Sequence, residues 1–210
     1  MTREGTMTND VPHVDASYAT GIGYGAIADF ENEIAAPGLV FRAERRPKSG
    51  PFAGLDWLVP TAVMVLIGKH YFDSFLSEAG KDHYYILKKA LTKLGQRFLA
   101  TDTKLVYTKG KAQLDTPKYS LTFSIYGEIQ GGLRLKLLVE PDIGPEELEK
   151  AIGAFSSALA SIHEEKYQTG QVAGLEGAKP IGGTVLVTYD RNAAQLVVVN
   201  PLPDRAKLES

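Results

Sequence analysis

His70 and Asp73 stand three positions apart, and His83 follows beyond Asp82. On a helix, residues at that spacing share a face, and an imidazole beside a carboxylate is the minimum equipment for proton transfer or for a metal site. His70, Asp73 and His83 are therefore the candidate acid–base residues of the chain. Surface and capping roles explain the same residue types equally well. The other histidines, His13 and His163, stand at i+3 or i+4 from no further histidine. His163 falls near a helix end, where a cation meets the last carbonyls favourably. The chain contains no cysteine, which removes disulfides, thiolate nucleophiles and Cys-based zinc sites together. No serine sits in a G-x-S-x-G setting. No metal set and no small-molecule cofactor is indicated.

Two further patterns could hold a ligand. Gly21, Gly23 and Gly25 alternate as G-x-G-x-G, and glycines let backbone N–H groups approach an anion. The dinucleotide fingerprint needs G-x-G-x-x-G after an apolar strand. Here the third glycine arrives one place early, so a glycine-rich strand or bulge is the better reading. The second pattern is basic: Lys81, Lys88, Lys89, Lys93 and Arg97 recur along one segment below Tyr84 and Tyr85, and form the candidate binding face. Residues 81–118 carry nine bases against three acids, whereas residues 1–35 carry one against six and residues 140–166 two against seven. A basic middle between acidic ends reads first as complementation within the fold. A phosphate backbone or an anionic lipid surface is the sharper alternative. The overall net charge of -2 does not argue for nucleic acid.

The most apolar stretch runs from Leu58 to Ile67 and is interrupted by Gly68-Lys69-His70. It falls well short of the roughly 20 apolar residues that span a bilayer. Trp57 at one end and Tyr71-Phe72 at the other leave an interfacial helix open, with Trp57, Leu66, Tyr71 and Phe72 as membrane or partner contacts.

These residues need elements to position them. Pro60 is tolerable in a first helical turn, so a helix is predicted over 57–79, stopped by Gly80. Asp82 then caps a second helix in which Tyr84, Leu87, Leu91, Leu94 and Phe98 make the apolar stripe. Together they form a long helical hairpin. Leu39, Phe41 and Ala43 alternate as in a half-buried strand, and a short helix from Ala26 precedes them. Tyr119 to Tyr126 and Leu133 to Val139 alternate around Gln130-Gly131-Gly132, the signature of a β-hairpin. Pro145-Glu146-Glu147 opens a helix with the stripe Leu148, Ile152, Phe155, Leu159 and Ile162. Thr184–Tyr189 and Gln195–Val199 frame a second hairpin.

The expected architecture is α+β: a mostly antiparallel sheet of about five strands, with the helical hairpin and one further helix packed on it. The order β-α-α-β-β-α-β-β suits a ferredoxin-like core with one strand added. Residues 1–17 read as a flexible tail without a targeting signal, 18–203 as a single domain, and 204–210 as a frayed end. Every strong feature has a packing explanation. The leading expectation is thus a non-enzymatic interaction or accessory protein of the cytoplasm, acting within a homo- or hetero-oligomeric assembly through a protein partner or self-association. A membrane-acting, toxin-like or defence-type effector using helix 57–79 is one alternative. A small enzyme or ligand-binding protein using His70, Asp73 and His83 is another. Nucleic acid is a partner only if the 81–118 face is free to meet it.

Overall fold

The computed structural model describes residues 11–47, 61–79, 81–100, 118–168 and 170–200. Trp57 and the helix start expected beside it, Gly80 and the C-terminal residues 201–210 lie outside them. In chain order the elements are β1 (Val14–Ala19), α1 (Gly25–Ile34), β2 (Phe41–Arg46), β3 (Val63–Ile67), a π-helical turn (Tyr71–Phe75), α2 (Leu76–Ala79), α3 (Lys81–Ala100), β4 (Phe123–Glu128), β5 (Arg134–Leu138), α4 (Pro145–His163), β6 (Val172–Ala173), β7 (Thr184–Asp190) and β8 (Gln195–Val198).

The strands form one mixed sheet of eight, ordered β2-β1-β3-β4-β5-β7-β8-β6. The α+β class stands, but the five-stranded, mostly antiparallel, ferredoxin-like arrangement gives way to this one. The reason lies in the connections. Pairs β1/β2, β3/β4 and β5/β7 are parallel, and each is joined through helices, because a parallel neighbour can be reached only by a crossover. The antiparallel pairs β1/β3 and β4/β5 stitch these three units together, and β7/β8 adds the edge on which the two-residue β6 lies parallel to β8. Both predicted hairpins, β4/β5 and β7/β8, are present. At the first turn Gly131 and Gly132 adopt φ of 72° and 74°, a left-handed geometry that favours glycine.

The predicted helix over 57–79 is the main correction. Val63, Val65 and Ile67 are fully buried and alternate with half-buried Met64 and Leu66 in β3, a strand with a partner on each side. A short continuous apolar run fits a buried helix or a buried strand by periodicity alone. Here the pairing with β1 and β4 decides for the strand, a setting that the β-branched residues at 63, 65 and 67 suit. Helical geometry begins only after this, with the π-helical turn that buries Tyr71 and Phe75. Of the predicted hairpin there remains the four-residue α2 (Leu76–Ala79), followed one residue later by the long α3 from Lys81. Strand β1 begins at Val14, inside the stretch 1–17 that reads as a tail, and lies between β2 and β3.

One row of side chains crosses the sheet on the helix-bearing side: Ala43, Ala16, Val65, Ile125, Leu137, Val187 and Val198 stand opposite one another strand by strand. Against it pack Ile27 and Phe30 of α1, Leu87, Leu91 and Leu94 of α3, and Leu148, Ile152, Phe155 and Leu159 of α4, all in one apolar cluster. Two glycines permit the close approach. A Cβ at Gly127 would overlap the Leu159 side chain, and one at Gly95 would stand 2.9 Å from the Phe123 ring. Both helices therefore sit down on β4.

The reverse side is polar yet largely buried. Its central row reads Arg42, Asp15, Leu66, Tyr126, Lys136 and Leu186. Asp15, Tyr126, Lys136 and Leu186 are each at most 9% exposed. A smaller apolar cluster of Tyr119, Leu138 and Leu186 lies on this side.

Candidate functional site

The acid–base candidates do not converge. His83, 4% exposed, sits in the first turn of α3 with Nε2 2.7 Å from the Ile34 carbonyl and Nδ1 3.0 Å from the Tyr71 hydroxyl. A carbonyl only accepts, so Nε2 carries the proton and donates, leaving Nδ1 to accept from the Tyr71 O–H. Both ring nitrogens are satisfied. Burial raises the Tyr71 pKa well beyond the ordinary phenol range, which keeps that hydroxyl a donor. Phe75 meets the imidazole edge-on at 4.7 Å. His83 thus ties the end of α1, the π-helical turn and α3 into one joint.

Asp73 faces another histidine. Its carboxylate lies 3.3 Å from Nδ1 of His163, whose Nε2 lies 2.8 Å from the Glu128 carbonyl. The ring is stacked on Phe72 with centroids 4.7 Å apart and planes within 7°. Lys69 adds a second contact to Asp73 at 3.5 Å. This arrangement ties the C-terminus of α4 to the end of β4 and to the π-helical turn. His70 is exposed, and its carbonyl accepts from the Ser74 hydroxyl at 2.8 Å. Among the described residues no three His, Cys, Asp or Glu side chains are grouped to hold a metal ion.

The basic face is answered from within the fold. Lys93 meets Glu33 at 2.9 Å and Arg97 meets Asp29 at 2.7 Å, both on α1, while Lys88 stands 3.8 Å from Glu149 on α4. The acids come from the two acidic segments of the sequence, so the charge blocks meet at these three bases of α3; Lys104, Lys109 and Lys111 of the basic segment lie outside the described residues. The first two pairs bridge a groove of about 400 Å³ floored by Phe30, Ala90 and Leu94. Lys89 remains exposed on the outer side of α3, and Lys81 is the first residue of that helix. That outer side also carries Tyr85 at 64% and Ile86 at 44% exposure, unlike the other apolar residues of α3. Tyr84, by contrast, turns toward α4 and its hydroxyl lies 3.1 Å from that of Ser157.

The membrane or partner set divides. Leu66 is half-buried in the sheet, Tyr71 is buried and Phe72 is covered by His163; Trp57 is outside the described residues. No described helix is long and apolar enough to cross a membrane. The glycine pattern at 21–25 does follow a strand, β1, and leads into α1. Gly21 takes φ 103°, and a Cβ at Gly23 or Gly25 would meet nothing within 4 Å, so neither of those two is held by a close approach.

Lys136 had no distinguishing mark in the sequence, where it alternates with leucines in a hairpin strand. In the structure it is fully buried, with Nζ 5.3 Å from the Tyr126 ring centroid. Burial, with Arg46 nearby, lowers its pKa to about 8; burial likewise pushes the Tyr126 hydroxyl up to about 12. Both border a pocket of about 230 Å³ that Ile181, Gly182, Thr184 and Leu186 also line. The available signal was Leu138 and Leu186 on the same face, which indicate that this side of the sheet is covered. Compared with known proteins, the chain matches no family model, no curated protein and no solved structure.

Proposed function

We propose that the protein is a non-enzymatic interaction protein of the cytoplasm that works within a homo- or hetero-oligomeric assembly, and that its contact surface is the outer side of α3. The observation that carries this reading is the pair Tyr85 and Ile86, two large side chains exposed together in the second turn of the 20-residue helix α3. Exposed aromatic and aliphatic side chains grouped on a rigid element are what partner contacts are built from. The distribution of the chemical groups supports it: His83, His163 and Asp73 hold elements together, and Lys93 and Arg97 face acids of α1.

The test is site-specific photocross-linking in native cells. A benzophenone side chain at position 85 gives discrete protein adducts, while the same probe at Asp142, whose side chain is 87% exposed, gives none. Identical adduct patterns at the two positions would remove the proposal.

A second reading, a small-ligand-binding protein, is favoured by the cavity beside Lys136 and Tyr126. It replaces the His70, Asp73 and His83 set, whose members point to different neighbours. A panel of small carboxylates and phosphates that raises Tm of the wild type but not of Lys136→Met supports it; no shift in either protein opposes it.

A further inference from the structure

We propose that the partner on α3 is a second copy of this chain, packed antiparallel so that Tyr85 and Ile86 lie on a two-fold axis. This rests on the interaction reading above and adds the identity and register of the partner. At 3.6 residues per turn, Asp82, Tyr85, Ile86 and Lys89 fall on one stripe of the helix. Asp82 and Lys89 are exposed, as are Tyr85 and Ile86 between them.

The stripe is self-complementary in the sense a two-fold contact requires, where residue i meets j and j meets i. Numbering along the helix fixes the register. Asp82 and Lys89 are centred midway between positions 85 and 86, and so are Tyr85 and Ile86 themselves. One antiparallel register therefore places Asp82 of each copy against Lys89 of the other, twice, and Tyr85 of each against Ile86 of the other. A parallel arrangement sets Asp82 on Asp82 and Lys89 on Lys89, with like charges opposed at both ends. Charge thus selects the direction, while the two apolar side chains supply the contact. Further along α3, exposed Lys93 and Arg97 pair with acids of α1, and Lys88 pairs with one of α4, so these bases are already answered within one copy.

The contact is small, which places it among weak, concentration-dependent dimers. Sedimentation of the whole chain from about 5 to about 500 µM tests it. The wild type is expected to dimerise reversibly. Ile86→Lys weakens the dimer at least about tenfold, Lys89→Asp weakens it similarly, and Asp82→Lys combined with Lys89→Asp recovers most of the loss. Helical circular dichroism of each variant, unchanged from wild type, separates a lost contact from a lost fold.

Register is read independently, because the chain has no cysteine of its own. Asp82→Cys and Lys89→Cys proteins mixed under mild oxidation form the mixed 82–89 disulfide in preference to either 82–82 or 89–89. A wild type that is monomeric throughout the range, a dimer indifferent to Ile86→Lys, or a preference for like-with-like disulfides overturns the proposal. If the chain is monomeric while a probe at position 85 still captures a different protein, only the identity of the partner falls. If neither dimer nor specific adduct forms, both readings fall.

Discussion

Replacing Lys136 by methionine should stabilise the protein near neutral pH and remove a rise in stability on the alkaline side. The amine is fully buried, and burial together with Arg46 moves its pKa from 10.5 down to about 8. A drop of that size corresponds to a penalty for the folded, charged form of about 3 kcal/mol, at about 1.4 kcal/mol per unit. The direction follows from proton counts. Below pH 8 both folded and unfolded chains hold the proton, and the whole penalty is present. Between about 8 and 10.5 the folded chain has released it while the unfolded chain has not, so stability rises with pH. Above that range neither is charged and the contribution is flat. Tyr71 and Tyr126, whose pKa values are raised by burial, act oppositely from about pH 10 upward, where unfolded phenols ionise first. The clean window is therefore pH 7 to 9.5, over which wild type gains about 2 kcal/mol through this group. Met fills a similar shape without a charge. Its neutral-pH gain is reduced by the contacts the amine gives up, among them the attraction to the Tyr126 ring at about 1 kcal/mol. Urea unfolding at pH 7, 8, 9 and 9.5 on both proteins measures this. Equal pH slopes in wild type and Lys136→Met would refute the reasoning, and so would a variant less stable than wild type at pH 7.

Two other substitutions probe the frame. Gly127→Ala forces a methyl group into the space of the Leu159 side chain, and an overpacked site of this kind costs about 1–3 kcal/mol, read as a lower urea midpoint with unchanged slope. His83→Ala leaves the Tyr71 hydroxyl and the Ile34 carbonyl without their partner, at a cost of about 2–4 kcal/mol including the cavity. Hydrogen exchange should show the loosening first at the end of α1 and the start of α3.

Amphipathic stripes and hairpin signals settled much of this protein in advance. Leu87, Leu91 and Leu94 of α3 and Leu148, Ile152 and Phe155 of α4 could bury themselves only as helices, because their spacing matches no other period. The β4/β5 hairpin followed from alternation about a glycine turn, and β7/β8 from two short Val- and Leu-rich runs flanking Asp190–Ala194. The complementary charge blocks also carried information, since acids of the segments around α1 and α4 do meet the bases of α3.

Only the tertiary structure decided what is non-local. Val63–Ile67 is a strand because β1 and β4 lie on its two sides, and no window of sequence contains its hydrogen-bond partners. Parallel pairing likewise depends on which edge each crossover returns to, which local propensity does not encode. Lys136 reads as a solvent-facing position in an alternating strand and becomes a buried cation only when the second face of the sheet is covered. His70, Asp73 and His83 are close in sequence, yet the π-helical turn sends Asp73 toward His163 and Tyr71 toward His83. Spacing along a chain sets which residues share an element; what faces them is set by packing between elements, and that is where the candidate site was decided.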